Sequence, residues 1–202
     1  MTSRFQANPG ENHWIAVTNI LKYLHRTKDR FLVFGGDSAL RVTSFTDASF
    51  QTDRDDMKSQ SGFMFMLNGG AISWRISKQT TTADSTTEAK YIAAAEAAKE
   101  AVWIRQFLKG LKVVQSVEEP IPIYCDNSGA IIQAKEPKSS NKARHVLRKF
   151  HIIRDFVERG DISIYKVGTA DNVVDPLTKP LAQAQREGHV ASMGLKRVPD
   201  LL

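Results

Sequence analysis

The sequence predicts a domain of the α/β class, built on a five-stranded mixed sheet with three antiparallel strands first and helices flanking it. Three short apolar segments between residues 41 and 76 are typical of strands, and the last two are joined by Asn68-Gly69-Gly70, a tight-turn sequence. A long alanine-rich segment follows, which is typical of a helix that packs closely on a sheet. Strand-like and helix-like segments then alternate, as expected for parallel strands wrapped by helices.

The first 36 residues are expected to form an N-terminal extension of this domain. Pro9-Gly10 is a break, and the segment 11–28 that follows carries apolar residues at helical spacing. A short apolar run, 31–34, then ends at Gly35-Gly36. We therefore divide the chain into an extension (1–36), a main domain (37–182) and a weakly structured C-terminal tail (183–202).

Local signals place the elements of the main domain in order. The predicted strands cover residues 41–49, 62–67, 71–76, 120–125 and 162–167. The long helix is expected at 87–111, after a polar stretch that offers N-cap residues. A second helix follows Asp126-Asn127-Ser128, a basic helix ends at Gly160, and Asp171-Asn172 opens the last helix.

The composition limits the classes of function. Of the 202 residues, 42% are hydrophobic and 25% are charged, and no segment approaches the roughly 20 apolar residues that a membrane span needs. The single cysteine, Cys125, excludes an internal disulfide framework and a cysteine-rich zinc site. Residues 1–20 lack the apolar core of a signal peptide, so we expect an intracellular protein.

Positive charge is concentrated in one part of the chain. The net charge is +6, and residues 135–160 hold eight Lys and Arg residues against three acidic ones. Such a basic stripe favours a polyanionic partner. A solvated helix face is the alternative interpretation.

Four acidic residues lie at positions that favour a metal site. Asp47 and Asp126 each follow an apolar strand segment, and the carboxyl ends of parallel strands are where ligands gather. Glu88 lies in the first turn of the long helix, and Asp175 lies near the start of the last one. Converging carboxylates repel each other unless cations neutralise them, and oxygen ligands select Mg²⁺ or Mn²⁺. Two such ions about 4 Å apart can support phosphodiester hydrolysis.

Each of these acids also has a purely structural interpretation. Asp126 and Asp171 are good helix N-cap residues. A glutamate in the position of Glu88 is favoured by the helix dipole whatever its function. Only their occurrence together, in this order of elements, favours the metal site.

Seven motifs run through the main domain, at residues 46–50, 58–63, 72–79, 85–93, 101–105, 123–130 and 171–181. With them the sequence resembles the ribonuclease H region of the polyproteins of copia-type LTR retrotransposons, the pseudovirus group, and particularly those of plants. Residues 4–10, His13-Trp14 and residues 21–24 resemble the end of the connection between reverse transcriptase and ribonuclease H. The resemblance covers almost all of residues 40–182 in the order of the family.

The resemblance implies the ribonuclease H fold and an endonuclease that cuts the RNA strand of RNA–DNA hybrids during reverse transcription, leaving 5′-phosphate and 3′-hydroxyl ends. It implies two Mg²⁺ ions, for which Mn²⁺ can substitute, held by the catalytic acids Asp47, Glu88, Asp126 and Asp175. The implied partners are the hybrid and the reverse transcriptase domain of the same polyprotein, in a cytoplasmic virus-like particle or the nucleus. The residues expected to contact nucleic acid are Ser49, Asn127, Arg144, His145, Arg148 and Lys149.

The sequence departs from the family pattern at two places. Residues 167–172 lack the histidine-bearing loop that many cellular ribonucleases H carry before the last aspartate, so we expect slower turnover. Lys90 stands where many relatives hold a second acid, which we interpret as surface variation. Two other hypotheses remain open: a relic that binds nucleic acid without cutting it, and a different metal nuclease on this fold, such as an integrase or resolvase.

Overall fold

The computed structural model of the protein describes residues 2–35, 40–53, 55–112, 118–136 and 150–197. Six helices and seven strands follow one another in these residues. In chain order they are α1 (Glu11–Arg26), β1 (Arg30–Leu32), β2 (Val42–Ser49), β3 (Gln60–Leu67), β4 (Gly70–Lys78), α2 (Thr86–Leu111), β5 (Ile121–Cys125), α3 (Ser128–Lys135), α4 (Ile152–Glu158), β6 (Ile162–Lys166), α5 (Asp175–Thr178), α6 (Gln183–Ser192) and β7 (Leu195–Arg197).

Five of the strands form the mixed sheet that the sequence predicts, in the spatial order β4-β3-β2-β5-β6. The pairs β2–β3 and β3–β4 are antiparallel, whereas β2–β5 and β5–β6 are parallel. The β3–β4 hairpin turns at Asn68 and Gly69, which both have positive φ (52° and 77°), as tight hairpin turns require. The predicted fold class is confirmed, and β2 occupies the centre of the sheet.

The main hydrophobic core lies between α2 and the sheet. All the alanines of α2 are buried, so the helix axis approaches the strands closely. Tyr91 and Ile92 of the helix pack in one cluster with Phe65 of β3 and Ile123 of β5. The start of α2 is fixed by Ser85, whose hydroxyl accepts a hydrogen bond from the backbone N–H of Glu88.

A second, smaller cluster holds the short helix α5 near β3. Val173 and Val174 pack there with Met64 and Met193. The helix begins at Asp175, so the prediction that it opens at Asp171-Asn172 was wrong. Residues 169–171 instead form a 3-10 turn, and the buried side chain of Asn172 donates to the carbonyl oxygen of Thr46 at 3.1 Å, which anchors the chain to β2.

A strand that follows α1 pairs with the last strand of the described chain. The strands β1 and β7 form a two-stranded antiparallel sheet, and the backbone N–H of Val33 donates to Gly194 O at 2.9 Å. The prediction of a weakly structured tail was therefore wrong for residues 183–197, which form α6 and β7. The division of the chain at residues 36 and 182 stays a prediction.

The first helix, α1, is confirmed at its predicted place, but it has no buried residue. Its apolar side chains Trp14, Leu21 and Leu24 are 61%, 59% and 56% exposed. The apolar side predicted from helical spacing therefore faces outward in the described part of the protein. Among the described residues, no helix combines the length and the apolar character needed to cross a bilayer.

Candidate metal centre

Three of the four predicted acids meet at one end of the central strands. Asp47 is on β2, Asp126 directly follows β5, and Asp175 is the first residue of α5. One carboxylate oxygen from each lies within 4.8 Å of the others, and all three residues are buried. The parallel pairing of β2 with β5 brings the first two together, and the packing of α5 adds the third.

Asp47 is the most enclosed of the three, with no exposed surface. Its Oδ2 accepts a short hydrogen bond from the hydroxyl of Thr178 and lies 3.0 Å from Lys179 Nζ. Burial opposes the ionisation of Asp47, but the Thr178 hydroxyl and the charges of Lys90 and Lys179 outweigh it and hold its pKa below the ordinary value. Asp47 is therefore a carboxylate at neutral pH.

Lys90 lies inside this acidic group. Its Nζ is 2.5 and 2.6 Å from the two carboxylate oxygens of Asp126 and 3.0 Å from Asp47 Oδ1, and its side chain is 13% exposed. Burial opposes its charged form, but the hydrogen bond to Asp126 and the charge of Asp47 outweigh that and raise its pKa. The interpretation of Lys90 as surface variation was wrong.

Lys179 forms the second ammonium bridge of the site. Its Nζ lies 3.0 Å from Asp47 Oδ2 and 3.1 Å from Asp175 Oδ1. The pKa of Asp175 is nevertheless raised, first by burial and then by the negative charge of Asp47. The two lysines therefore neutralise two of the three aspartate charges. From the sequence, divalent ions alone were expected to neutralise these charges.

Glu88, the fourth predicted acid, is not part of the group. Its Oε2 accepts a hydrogen bond from the backbone N–H of Asp84 at 2.8 Å, at the entry of α2. Residues two apart on an α-helix point about 200° away from each other, so Glu88 and Lys90 cannot face the same site. The side chain that α2 directs at the aspartates is Lys90. A lysine within the apolar stretch 89–95 was the signal available in the sequence, because buried lysines are rare without partners.

The structure also places two of the predicted nucleic-acid contacts. Ser49 ends β2, is buried, and its hydroxyl lies 3.0 Å from that of Thr52. Asn127 is the N-cap of α3 and accepts from the N–H of Ala130 at 2.8 Å, so this cap is not Asp126. Both lie close in sequence to the aspartates. The others, Arg144, His145, Arg148 and Lys149, lie outside the described residues.

The three aspartates fit one divalent cation. Carboxylate oxygens are the ligands that Mg²⁺ and Mn²⁺ prefer. Asp47 Oδ1 is buried, and its close contact is the ion pair with the Lys90 ammonium at 3.0 Å. Within the described residues, Glu88 is turned towards the cap of α2, and the acidic group that offers ligands close together consists of these three aspartates.

Comparison with known proteins gives sequence relatives for most of the chain. The retrovirus-related Pol polyprotein from transposon TNT 1-94 of Nicotiana tabacum is 40% identical over 179 residues, which are 89% of this chain and 13% of that polyprotein. The Pol polyprotein from transposon RE2 of Arabidopsis thaliana is 32% identical over 197 residues, 98% of this chain and 13% of that polyprotein. The chain thus spans about an eighth of the length of these plant relatives.

Other comparisons give a shorter relative and a structural likeness. The secreted RxLR effector protein 161 of Plasmopara viticola is 40% identical over 102 residues, 50% of this chain and 72% of that protein. A solved RNase H1, LC11 isolated from compost, superposes with a TM-score of 0.49 at 15% identity, covering 68% of this chain and 91% of that one. No family model matches the chain.

Proposed function

We propose that this chain is a ribonuclease H domain, a hydrolase that cuts the RNA strand of RNA–DNA hybrids during reverse transcription. The proposal follows from its homology with one segment of the retrovirus-related Pol polyproteins of plant transposons. The observation that carries the proposal is the convergence of Asp47, Asp126 and Asp175 from three elements far apart in the sequence. Lys90 and Lys179 neutralise part of this negative charge, and carboxylate oxygens are the ligands that Mg²⁺ and Mn²⁺ prefer.

The cofactor of the proposed reaction is Mg²⁺, or Mn²⁺ in its place, held by Asp47, Asp126 and Asp175. When bound, such an ion stabilises the negative charge that develops during phosphodiester hydrolysis. The Thr178 hydroxyl orients Asp47 for this role by its hydrogen bond to Oδ2. These three carboxylates provide ligands for one ion. The two ions that the resemblance implies would also need Glu88, which instead accepts a hydrogen bond at the start of α2.

The substrate of the proposal is the RNA–DNA hybrid. Lys179, which pairs with Asp47 and Asp175, is 30% exposed, so the positive charge of this lysine lies where the acidic group meets solvent. The basic residues Arg144, His145, Arg148 and Lys149, which lie outside the described residues, are proposed as further contacts with the hybrid. Backbone and 2′-hydroxyl contacts would recognise the hybrid by its shape, with little sequence preference. The proposed partner is the reverse transcriptase domain of the same polyprotein, of which this chain matches one segment.

A cleavage assay with matched variants tests this proposal. The chain is incubated with an RNA–DNA hybrid, duplex DNA or duplex RNA, each with and without Mg²⁺. We expect cleavage of the RNA strand of the hybrid alone, and only with the metal. Asp47→Asn should abolish most of it while hybrid binding persists. Asp56→Asn makes the same charge change at a 37% exposed side chain paired with Lys78, and should cut like the wild type.

The possible results separate the proposal from its rivals. Full activity in Asp47→Asn would refute the assignment of the site, and cleavage of duplex DNA would favour another type of metal nuclease. A second candidate function, a relic that binds nucleic acid without cutting it, is favoured by one observation: the Lys90 ammonium already occupies the space between Asp47 and Asp126. Hybrid binding without cleavage at any Mg²⁺ or Mn²⁺ concentration would select the relic.

A further inference from the structure

Lys90 contacts the aspartates through the same oxygen atoms that a metal ion would use. Its ammonium engages both oxygens of Asp126 and lies 3.0 Å from Oδ1 of Asp47, which is buried. Among the acid group's described neighbours, Lys179 instead contacts Oδ2 of Asp47 and Oδ1 of Asp175. The two ammonium groups therefore bridge different pairs of carboxylates.

We propose that Lys90 is a built-in competitor of the metal: its ammonium takes the position in which a divalent ion bridges Asp47 and Asp126, so that the ion binds only after displacing it. This inference rests on the proposed function in one respect, the assignment of Asp47 and Asp126 as metal ligands. It is a property of this chain's own side chain and does not require that the chain cuts any substrate.

The geometry makes the two cations mutually exclusive. With both Asp126 oxygens 2.5 and 2.6 Å from Lys90 Nζ, no oxygen of Asp126 is open to an ion on that side. If the ammonium stayed within ion-pair distance, it would also repel a divalent ion held by the same carboxylates. The ion must therefore compete both for the ligand atoms and against a like charge.

The backbone of Lys90 offers little freedom to relieve this conflict. Its neighbours Ala89 and Tyr91 are completely buried, so the first turns of α2 are fixed against the sheet. Only rotation of the lysine stem can withdraw the ammonium, and withdrawal breaks ion pairs with two buried carboxylates. Weak divalent binding is the expected consequence in the unmodified chain.

Metal titrations of the full chain test the proposal directly. Isothermal titration with Mn²⁺ alone, and with Mg²⁺ alone, compares the wild type with Lys90→Met, which keeps the length of the stem without its charge. The control is Lys109→Met, which makes the same change in net charge near the other end of α2, where Lys109 pairs with the 79% exposed Glu118. We expect Lys90→Met to bind Mn²⁺ about tenfold or more tightly than the wild type, because a like charge has been removed from the site. Lys109→Met should match the wild type.

A Kd for Mn²⁺ in Lys90→Met equal to that of the wild type would overturn the proposal, as would an equal gain in Lys109→Met. Circular dichroism shows whether each variant is folded, and Lys90→Gln serves the same comparison if Lys90→Met is not. The hybrid assay keeps this test separate from the proposed function. Tighter Mn²⁺ binding by Lys90→Met without any cleavage of the hybrid would support Lys90 as a competitor of the metal and contradict the ribonuclease function. Cleavage of the hybrid by the wild type, with unchanged Mn²⁺ binding in Lys90→Met, would support the ribonuclease function and contradict the competitor.

Discussion

Gly62 links the packing of the sheet to the geometry of the acidic group, and its replacement by alanine is the most informative test of the fold. Gly62 on β3 is the register partner of Asp47 on β2. A Cβ atom at Gly62 would lie 2.7 Å from Cγ2 of Thr178 and 3.5 Å from Cγ2 of Val174. The glycine therefore permits α5 to lie close to the sheet, where Thr178 holds Asp47.

The cost of Gly62→Ala follows from what Thr178 can do in response. Threonine is stiff about χ1, and rotation would break the hydrogen bond from its hydroxyl to Asp47 Oδ2. Losing a hydrogen bond to a charged group costs about 1.5–3 kcal/mol, and overpacking without rotation costs about 1–3 kcal/mol. We expect the free energy of unfolding to fall by about 2 kcal/mol, which lowers the Tm of a chain of this size by about 4–8 °C.

Thermal and urea unfolding, followed by circular dichroism, measure this effect. The matched control is Gly110→Ala in α2, where an added Cβ meets no atom within 4 Å. Alanine should stabilise that helical position by about 0.5–1 kcal/mol. Because Gly62→Ala also shifts Thr178, it should weaken Mn²⁺ binding, whereas Gly110→Ala should not. A Tm of Gly62→Ala at or above that of the wild type would refute the close packing of α5 on β3.

Three further predictions concern single contacts. Burial raises the pKa of the Cys125 thiol to about 11, so the thiol is protonated at about pH 8. It should therefore react with Ellman's reagent far more slowly in the native than in the urea-unfolded chain, and equal rates would contradict its burial. Ser85→Ala removes the N-cap of α2 and should cost about 1 kcal/mol in urea unfolding, and an unchanged midpoint would mean that the cap is dispensable. Asn172→Ala removes the side-chain donor that bonds to the carbonyl oxygen of Thr46, and should lower the free energy of unfolding by about 1–3 kcal/mol. A loss no larger than in a surface Asn→Ala variant would argue against this anchor.

Most of the sheet was predictable because its signals are local. The apolar β-branched segments, the Asn68-Gly69 turn and the polar cap before α2 each act over a few residues, and the structure has them within a few residues of the predicted places. The strand β7 was missed for the opposite reason. The three residues of β7 form a strand only because β1, which is distant in the sequence, supplies their hydrogen bonds.

The site was predictable only in part. Asp47 and Asp126 follow from their places at strand ends, and Asp175 follows from the resemblance of the last motif. The prediction failed at the start of α2, where Glu88 and Lys90 are two residues apart; Glu88 lies between Thr87 and Ala89, whereas Lys90 lies between Ala89 and Tyr91. Helix propensity and capping are the same for either orientation of that turn, so the only local signal was the position of Lys90 within the apolar stretch 89–95.

The sequence by itself determined the class of sheet, the order of its elements and three aspartates at positions where chain segments end or begin. Tertiary structure alone decided which side of α2 meets those aspartates, and with it that an ammonium group and not a fourth carboxylate enters the group. The physical reason is that the orientation of a helix about its own axis is set by how its buried faces pack against the sheet. Because α2 carries buried residues on several sides, the spacing of its apolar residues does not reveal that orientation.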